Sequence, residues 1–330
     1  MVKTPLVGPV DHVNTYIIKA DDEDVVIDVG PDLFLSITTL RKNMKRLNVR
    51  PDRSLFIVTH AHRDHIGAAR RLATTSKVYI GYNELRRLMR GKEQVKDMLA
   101  FAMENGFPER LAKVVIKLVL VAQCKNLSNL VPLRDGELLK LGRHKFKCIE
   151  TPGHTQGHVC LYDQCKGVLF AGDHILRNVT PPISSWSYEE DSLSAYLLGL
   201  KRICALSSLL VLPGHGKPLK NLKERVRELV NHHKTRLLEI IRVLEAQSGD
   251  AYWISSKIGW KMRHPSWGYA SLFRIWLAFE ETLAHLNFLA GLGVVDRKMV
   301  KGRTVYQIVN VDAVETVKKA IADRLAPLEI

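Results

Sequence analysis

Within six consecutive positions, His60, His62, Asp64 and His65 supply three imidazoles and a carboxylate. Both groups are ligands for borderline divalent cations. His60 and His62 lie two residues apart, so an extended backbone turns both to one side and lets them meet one cation. Asp64 and His65 follow where the chain turns towards a helix, and they can reach a second. The preceding run LFIV, residues 55–58, is apolar throughout, which places the four at the end of a buried strand.

Three later stretches repeat the pattern. TPGHTQGH carries His154 and His158 in a glycine-rich turn, LFAGDH ends an apolar run in Asp173 and His174, and LLVLPGHG ends another in His215. Open sheets place their ligands in loops at strand ends. A single histidine after a strand is ordinarily a packed or solvent-facing residue; four such endings in one chain reverse that expectation.

The elements that must position these residues alternate. Residues 13–29 read as a hairpin through the acidic turn ADDED, and residues 36–49 put Ile37, Leu40, Met44 and Leu47 on one helical face. A strand at SLFIVTH, a helix starting at IGAARRLA and a strand at KVYIG follow, so the core is α/β and layered. Between Asn83 and about Gln123 the pattern becomes long and helical, with Pro108 suited to a first turn and Met89, Met98 and Met103 giving a pliable apolar surface. Strands return at HKFKCIETP, VCLYDQ, GVLFAGD and SSLLVLPGHG, and residues 222–247 form one long amphipathic helix. Thereafter a short helix around WISSKIGW, a helix from LFRIW onwards and two extended runs around KMVKGR suggest a winged helix. The reading predicts a catalytic domain over 1–230, with a helical insertion at about 83–123, and a winged-helix-like domain over 231–330. The aromatic set Trp253, Trp260, Trp267, Phe273, Trp276 and Phe279 is mostly at helical spacing, which favours core packing over base stacking.

THAHRDHIG, TPGHTQGH, FAGDH and LPGHG, in this order, closely resemble the motif series of the metallo-β-lactamase-fold hydrolases, nearest the glyoxalase II-like branch. The likeness covers roughly residues 10–230. It implies an αββα sandwich with two divalent metal ions at one edge: His60, His62 and His154 on the first, Asp64, His65 and His215 on the second, and Asp173 bridging both. Zinc suits this ligand set, and iron or manganese is also compatible. The resemblance further implies a bridging water whose pKa falls from ~15.7 towards neutrality, giving the hydroxide nucleophile. Asp28 is then an acceptor behind the ligands, His158 orients His154 or its loop, and His174 is a proton donor to the leaving group or a substrate contact. His12, His144, His232, His233, His264 and His285 receive no catalytic role.

The C-terminal region, taken with GDHILRNVTPPI, resembles a group of such hydrolases with a winged-helix-like tail, among them a mitochondrial endoribonuclease and several thioesterase-like enzymes. The leading expectation is hydrolysis of a thioester or ester of a small or carrier-bound acyl group, with Arg86, Arg87, Arg90, Lys92 and Lys96 available to an anionic carrier. The alternatives are a metal-dependent endoribonuclease, a single-iron sulfur dioxygenase using His60, His154 and Asp173, and a winged-helix DNA-binding regulator with a sensory metal domain. A net charge of +15 over 330 residues keeps nucleic acid as a partner in view, but the excess is spread along the chain without a basic tail, and the additional β-CASP nuclease motifs are missing. No membrane partner is expected, because the longest apolar runs, such as VVIKLVLVA, fall short of the ~20 residues a spanning helix needs. The N-terminus has no signal-peptide pattern, and Cys124, Cys148, Cys160, Cys165 and Cys204 form no C-x-x-C. The expectation is therefore a cytoplasmic protein with reduced thiols in apolar surroundings.

Overall fold

Strands that read as uninterrupted apolar runs are buried on both faces. The computed structural model, which describes residues 1–6, 11–21, 23–120, 127, 129–260, 271–310 and 312–325, shows this at its centre. The chain forms two units. The first comprises residues 1–91, 121–181 and 204–225. In chain order it holds β1 (Val2–Pro5), β2 (His12–Ile18), β3 (Asp24–Ile27), α1 (Phe34–Arg46), β4 (Ser54–Val58), α2 (Arg63–Ile66), α3 (Ala69–Leu72), β5 (Val78–Gly81) and α4 (Tyr82–Arg90). After these come β6 (Leu130–Leu133), β7 (Leu138–Leu141), β8 (His144–Glu150), β9 (Val159–Asp163), β10 (Val168–Gly172) and β11 (Leu210–Pro213).

One sheet runs β1-β2-β3-β4-β5-β6 and the other β11-β10-β9-β8-β7. β4 lies parallel to both neighbours, with Phe56 opposite Val26 and Val78. Alternation then sorts the side chains. Val26, Phe56, Val58, Val78 and Ile80 pack with Ile37, Leu40 and Met44 of α1 and with Ala69 and Leu72 of α3. Val25, Ile27, Leu55 and Ile57 face the other way, onto Phe146, Cys148, Val159, Leu161 and Phe170 of the second sheet. This is a mixed α/β, sheet-on-sheet architecture, and it carries the ends of β4, β10 and β11 to the loops that hold the histidines.

Two local readings change. The helix expected from IGAARRLA is two short turns, α2 and α3, because the Ala68 N–H leaves the helical pattern and donates to the Gly30 carbonyl oxygen at 2.9 Å. The helical stretch beginning at Asn83 breaks at Gly91, whose φ of +53° no ordinary L residue takes easily. Cys148, Cys160 and Cys204 are buried thiols, whereas Cys165 is exposed in the β9–β10 turn, contrary to the apolar surroundings expected of it. Cys124 and Trp267 lie outside the described residues.

The second unit comprises residues 92–120, 182–203 and 226–330. Its elements are α5 (Lys92–Glu104), α6 (Glu109–Leu120), α7 (Ser192–Cys204), α8 (Leu222–Ala246), α9 (Ala251–Lys257), α10 (Leu272–Gly291), β12 (Val295–Val300), β13 (Arg303–Ile308) and α11 (Ala313–Leu325). Phe107 packs edge-on to Tyr252 and Trp276, at 5.1 and 5.0 Å between ring centres, and tilted against Phe279 at 4.9 Å. Trp276 and Phe279 are thus core residues, while Phe273 is 43% exposed. The β12–β13 hairpin turns through Lys301 and Gly302, both at positive φ, as a tight hairpin turn requires. The Tyr306 hydroxyl donates to Asn105 Oδ1 at 2.7 Å, so the hairpin is joined to the end of α5. Among the described residues no helix is long and apolar enough to cross a membrane.

Candidate metal centre

Four segments of the first unit converge. The loop leaving β4 brings His60 Nε2 and His62 Nδ1 to 2.9 Å, and the β8–β9 loop brings His154 Nε2 to 3.0 Å from the same His62 nitrogen. Two ligands on a tetrahedral cation with bonds of ~2.0–2.1 Å stand roughly 3.3 Å apart, so these three nitrogens already have the spacing of one coordination shell. Beside them His65 Nε2 and His215 Nε2 are 3.2 Å apart, and Asp64 Oδ2 lies 3.2 Å from His215 Nε2 and 3.8 Å from His65 Nε2. Asp173, at the end of β10, touches both sets: its Oδ2 is 3.7 Å from His154 Nε2 and 3.4 Å from His215 Nε2, and its Oδ1 is 3.6 Å from His65 Nε2.

Three of the rings are oriented from behind, which decides which nitrogen each presents. His215 Nδ1 donates to the His12 carbonyl oxygen at 2.8 Å, and His65 Nδ1 donates to Asp28 Oδ2 at 2.8 Å. His60 Nδ1 donates to Thr59 Oγ1 at 3.1 Å, and the threonine hydroxyl in turn reaches Asp28. With Nδ1 of each ring committed as a donor, Nε2 is the nitrogen that faces the other groups and is free to ligate once it holds no proton, as metal-ligating histidines require. Asp28 also accepts the Thr59 backbone N–H at 2.9 Å. It does so from φ +55°, a conformation uncommon for a non-glycine residue and tolerated by aspartate.

His158 stands behind the other aspartate. Its Nε2 accepts the Asp173 backbone N–H at 3.1 Å, so its proton sits on Nδ1, 2.8 Å from Thr151 Oγ1. Both nitrogens are engaged, and what the ring holds is the Asp173 turn. The same close packing excludes a side chain at Gly172, where a Cβ would lie 2.6 Å from His158 Nε2. His174 is fully buried, its ring 6.0 Å from that of His158.

The electrostatics follow from burial set against the carboxylates. Burial and the neighbouring rings hold the imidazoles of His60 and His158 well below their usual range, and His62 down to about 3. For His65 and His215 burial also opposes charge, but the surrounding aspartates outweigh it; His65 is raised well above its usual value and His215 to about 10. Asp64 and Asp173 are pushed up by burial and pulled lower still by His65 and His215, so both remain ionised. The cluster therefore stabilises positive charge at its second half.

The residues fit a pair of divalent cations. Asp173 Oδ1 is buried and has no hydrogen-bond donor among the described residues. A Cβ on Gly214 would fall 2.3 Å from that oxygen and 2.7 Å from His65 Cε1, so glycine alone lets the loop close over the two.

Glu84, in the first turn of α4, carries no expectation from the sequence. Its buried carboxylate accepts the Ala61 N–H at 2.9 Å and the Gly157 N–H at 3.0 Å, pinning the β4 loop to the β8–β9 loop. An acidic residue in a first turn is common for reasons of helix dipole alone, so its spacing offered no signal.

The profile of the metallo-beta-lactamase superfamily matches residues 8–217. The probable metallo-hydrolase YqjP of Bacillus subtilis is 24% identical over 319 residues, covering 92% of this chain and 96% of that protein. The bovine (Bos taurus) acyl-coenzyme A thioesterase MBLAC2 is 28% identical over 176 residues, 49% of this chain and 58% of its own length. Among solved structures, the metallo-beta-lactamase family protein TTHA1429 of Thermus thermophilus has a TM-score of 0.79 at 26% identity, covering 93% of this chain and 97% of that one.

Proposed function

The chain belongs to the metallo-beta-lactamase superfamily, and we propose that it is a binuclear-metal hydrolase acting on a thioester or ester of a small or carrier-bound acyl group. The observation that carries this reading is the pair of donor sets sharing Asp173. We assign His60, His62 and His154 to one cation, Asp64, His65 and His215 to the other, and Asp173 to both. A divalent pair held there would supply Lewis acidity and a water of lowered pKa to an electrophilic carbonyl. Asp28 and Thr59 keep the ligand rings in one tautomer, His158 keeps the Asp173 turn in place, and Glu84 keeps the two histidine loops in register. Asp64 and Asp173 keep the centre's charge balanced. His174, next in the chain to Asp173, is the proposed proton donor to the leaving group; packing is the competing role, and the pH profile of kcat for His174→Gln separates the two.

The acyl substrate is supported by the likeness to an acyl-coenzyme A thioesterase and by the basic residues Arg86, Arg87 and Arg90 of α4, and separately Lys92 and Lys96 of α5, each of which suits an anionic carrier. Within the superfamily we place the chain in the glyoxalase II-like branch, on its motif spacing. We read α9, α10 and the β12–β13 hairpin as the core of a winged-helix-like domain. The test is a panel of acyl-CoA, acyl-glutathione and lactone substrates with the zinc-loaded chain; hydrolysis of a thioester is expected, and a flat response across all three refutes the substrate class. A metal-dependent endoribonuclease is the second reading, favoured by the net charge of +15. Salt-sensitive cleavage of single-stranded RNA, abolished by Asp64→Ala, would replace the first reading with it.

A further inference from the structure

A second histidine cluster lies in the other unit, and the loop centre makes no use of it. His232 and His233 sit on α8, and Glu281 and His285 are one turn apart on α10. One ring nitrogen from each of His232 and His233 and a carboxylate oxygen of Glu281 lie within 4.8 Å of one another. His232 Nε2 is 3.3 Å from Glu281 Oε1.

The proton positions follow from one carbonyl. His285 Nδ1 lies 2.6 Å from the Glu281 carbonyl oxygen, which can only accept, so the His285 proton is on Nδ1. Both rings are fully buried. His285 Nε2 therefore carries a lone pair and accepts from His233 Nδ1 at 3.1 Å. That leaves His233 Nε2 as a bare lone pair. His233 is fully buried, and among the described residues no donor reaches this nitrogen. His233 is thus held through its other nitrogen by His285, itself fixed by the Glu281 carbonyl, and a ring fixed in this way from behind presents one nitrogen for ligation. Glu281 is buried beside His232 and its carboxylate supplies the oxygen donor.

Arg236 limits which cation fits. Its Nε lies 3.5 Å from Glu281 Oε1, while its Nη1 donates to Glu239 Oε2 at 2.6 Å and to the Gly259 carbonyl at 3.2 Å, and the guanidinium lies over the Trp260 ring at 3.9 Å. A cation bound by charge alone would be repelled, whereas one bound through imidazole nitrogen gains from the donor type. From this geometry we infer that His232, His233 and Glu281 form a further metal site, structural in placement, that takes a nitrogen-preferring divalent ion such as zinc, cobalt or nickel rather than magnesium or calcium.

The test counts metal. The full chain is stripped with chelator, reloaded with excess zinc alone, desalted, and its zinc per chain measured by mass spectrometry beside His232→Ala and Glu281→Gln. Each variant is expected to hold one zinc fewer than the wild type, with hydrolysis at the loop centre unchanged and no corresponding uptake of magnesium. Because the readout is a difference between wild type and variant, it does not depend on whether the loop centre holds one ion or two. Equal zinc in the wild type and in folded variants overturns the proposal. Should Glu281→Gln fail to fold, His232→Ala decides alone, since that side chain is already 32% exposed.

Discussion

Glu84 accepts a hydrogen bond from the Gly157 N–H at 3.0 Å, and the two backbones approach so closely that a Cβ on Gly157 would lie 1.9 Å from the Glu84 nitrogen. With its other oxygen on Ala61 N–H, this carboxylate ties together the loops that carry His60, His62 and His154. Glu84→Gln turns one acceptor into a donor facing an N–H, and a buried N–H left unsatisfied costs about 1–3 kcal/mol. Outer partners of ligands typically cost 10–100-fold in metal affinity when mutated, and a loss of roughly tenfold is expected here. Chelator competition for zinc measures it, with the melting temperature recorded alongside.

Asp28→Asn separates charge from shape. Asparagine also tolerates the left-handed φ at this position, so the backbone should be retained. The acceptor for His65 Nδ1 loses its charge, and its amide can present a donor there instead. Weaker binding is expected, about 10–100-fold at the Asp64, His65 and His215 set, with a smaller loss at the His60, His62 and His154 set, which Asp28 reaches only through Thr59. Calorimetric zinc titration should resolve the two.

The metal-free chain should lose stability on the alkaline side. His215 is raised to about 10 in the folded state against about 6.5 when unfolded. A raised group contributes stability that is fully present below the unfolded value and lost as pH climbs through the folded one. The melting temperature of metal-free protein should therefore fall between pH 6.5 and 10, and His215→Gln should flatten that fall. Differential scanning calorimetry across this range checks the sign.

Gly214→Ala probes close approach. Its Cβ would meet Asp173 Oδ1 at 2.3 Å and His65 Cε1 at 2.7 Å, so one of them must shift. Overpacking of this kind costs about 1–3 kcal/mol, and the displaced donor should remove at least one zinc per chain. Metal analysis beside thermal melting reads both effects.

What could be read from the sequence was whatever is local or periodic. β4 and β10 announced themselves because strands buried on both faces are continuous apolar runs, the edge strand β11 by the apolar run LVLP, and each is followed by its histidine or aspartate. β1, β6 and β7, of four residues each, lack enough length for a period to emerge. The break between α2 and α3 comes where the Ala68 N–H donates to the Gly30 carbonyl, a contact no local pattern encodes. Likewise the four histidine-bearing segments were visible, whereas the residues behind them were mostly not. Thr59 acts through the Asp28 carboxylate and Glu84 through backbone N–H groups of the two histidine loops, so their roles exist only once those segments have met.

Crystals of the zinc-loaded chain, measured at the zinc absorption edge, test the central claim most directly. Two anomalous peaks about 3.5–4 Å apart are predicted, one among His60, His62 and His154 and the other among Asp64, His65 and His215, with Asp173 touching both. A single peak, or none, at these residues in a fully loaded crystal contradicts the binuclear account.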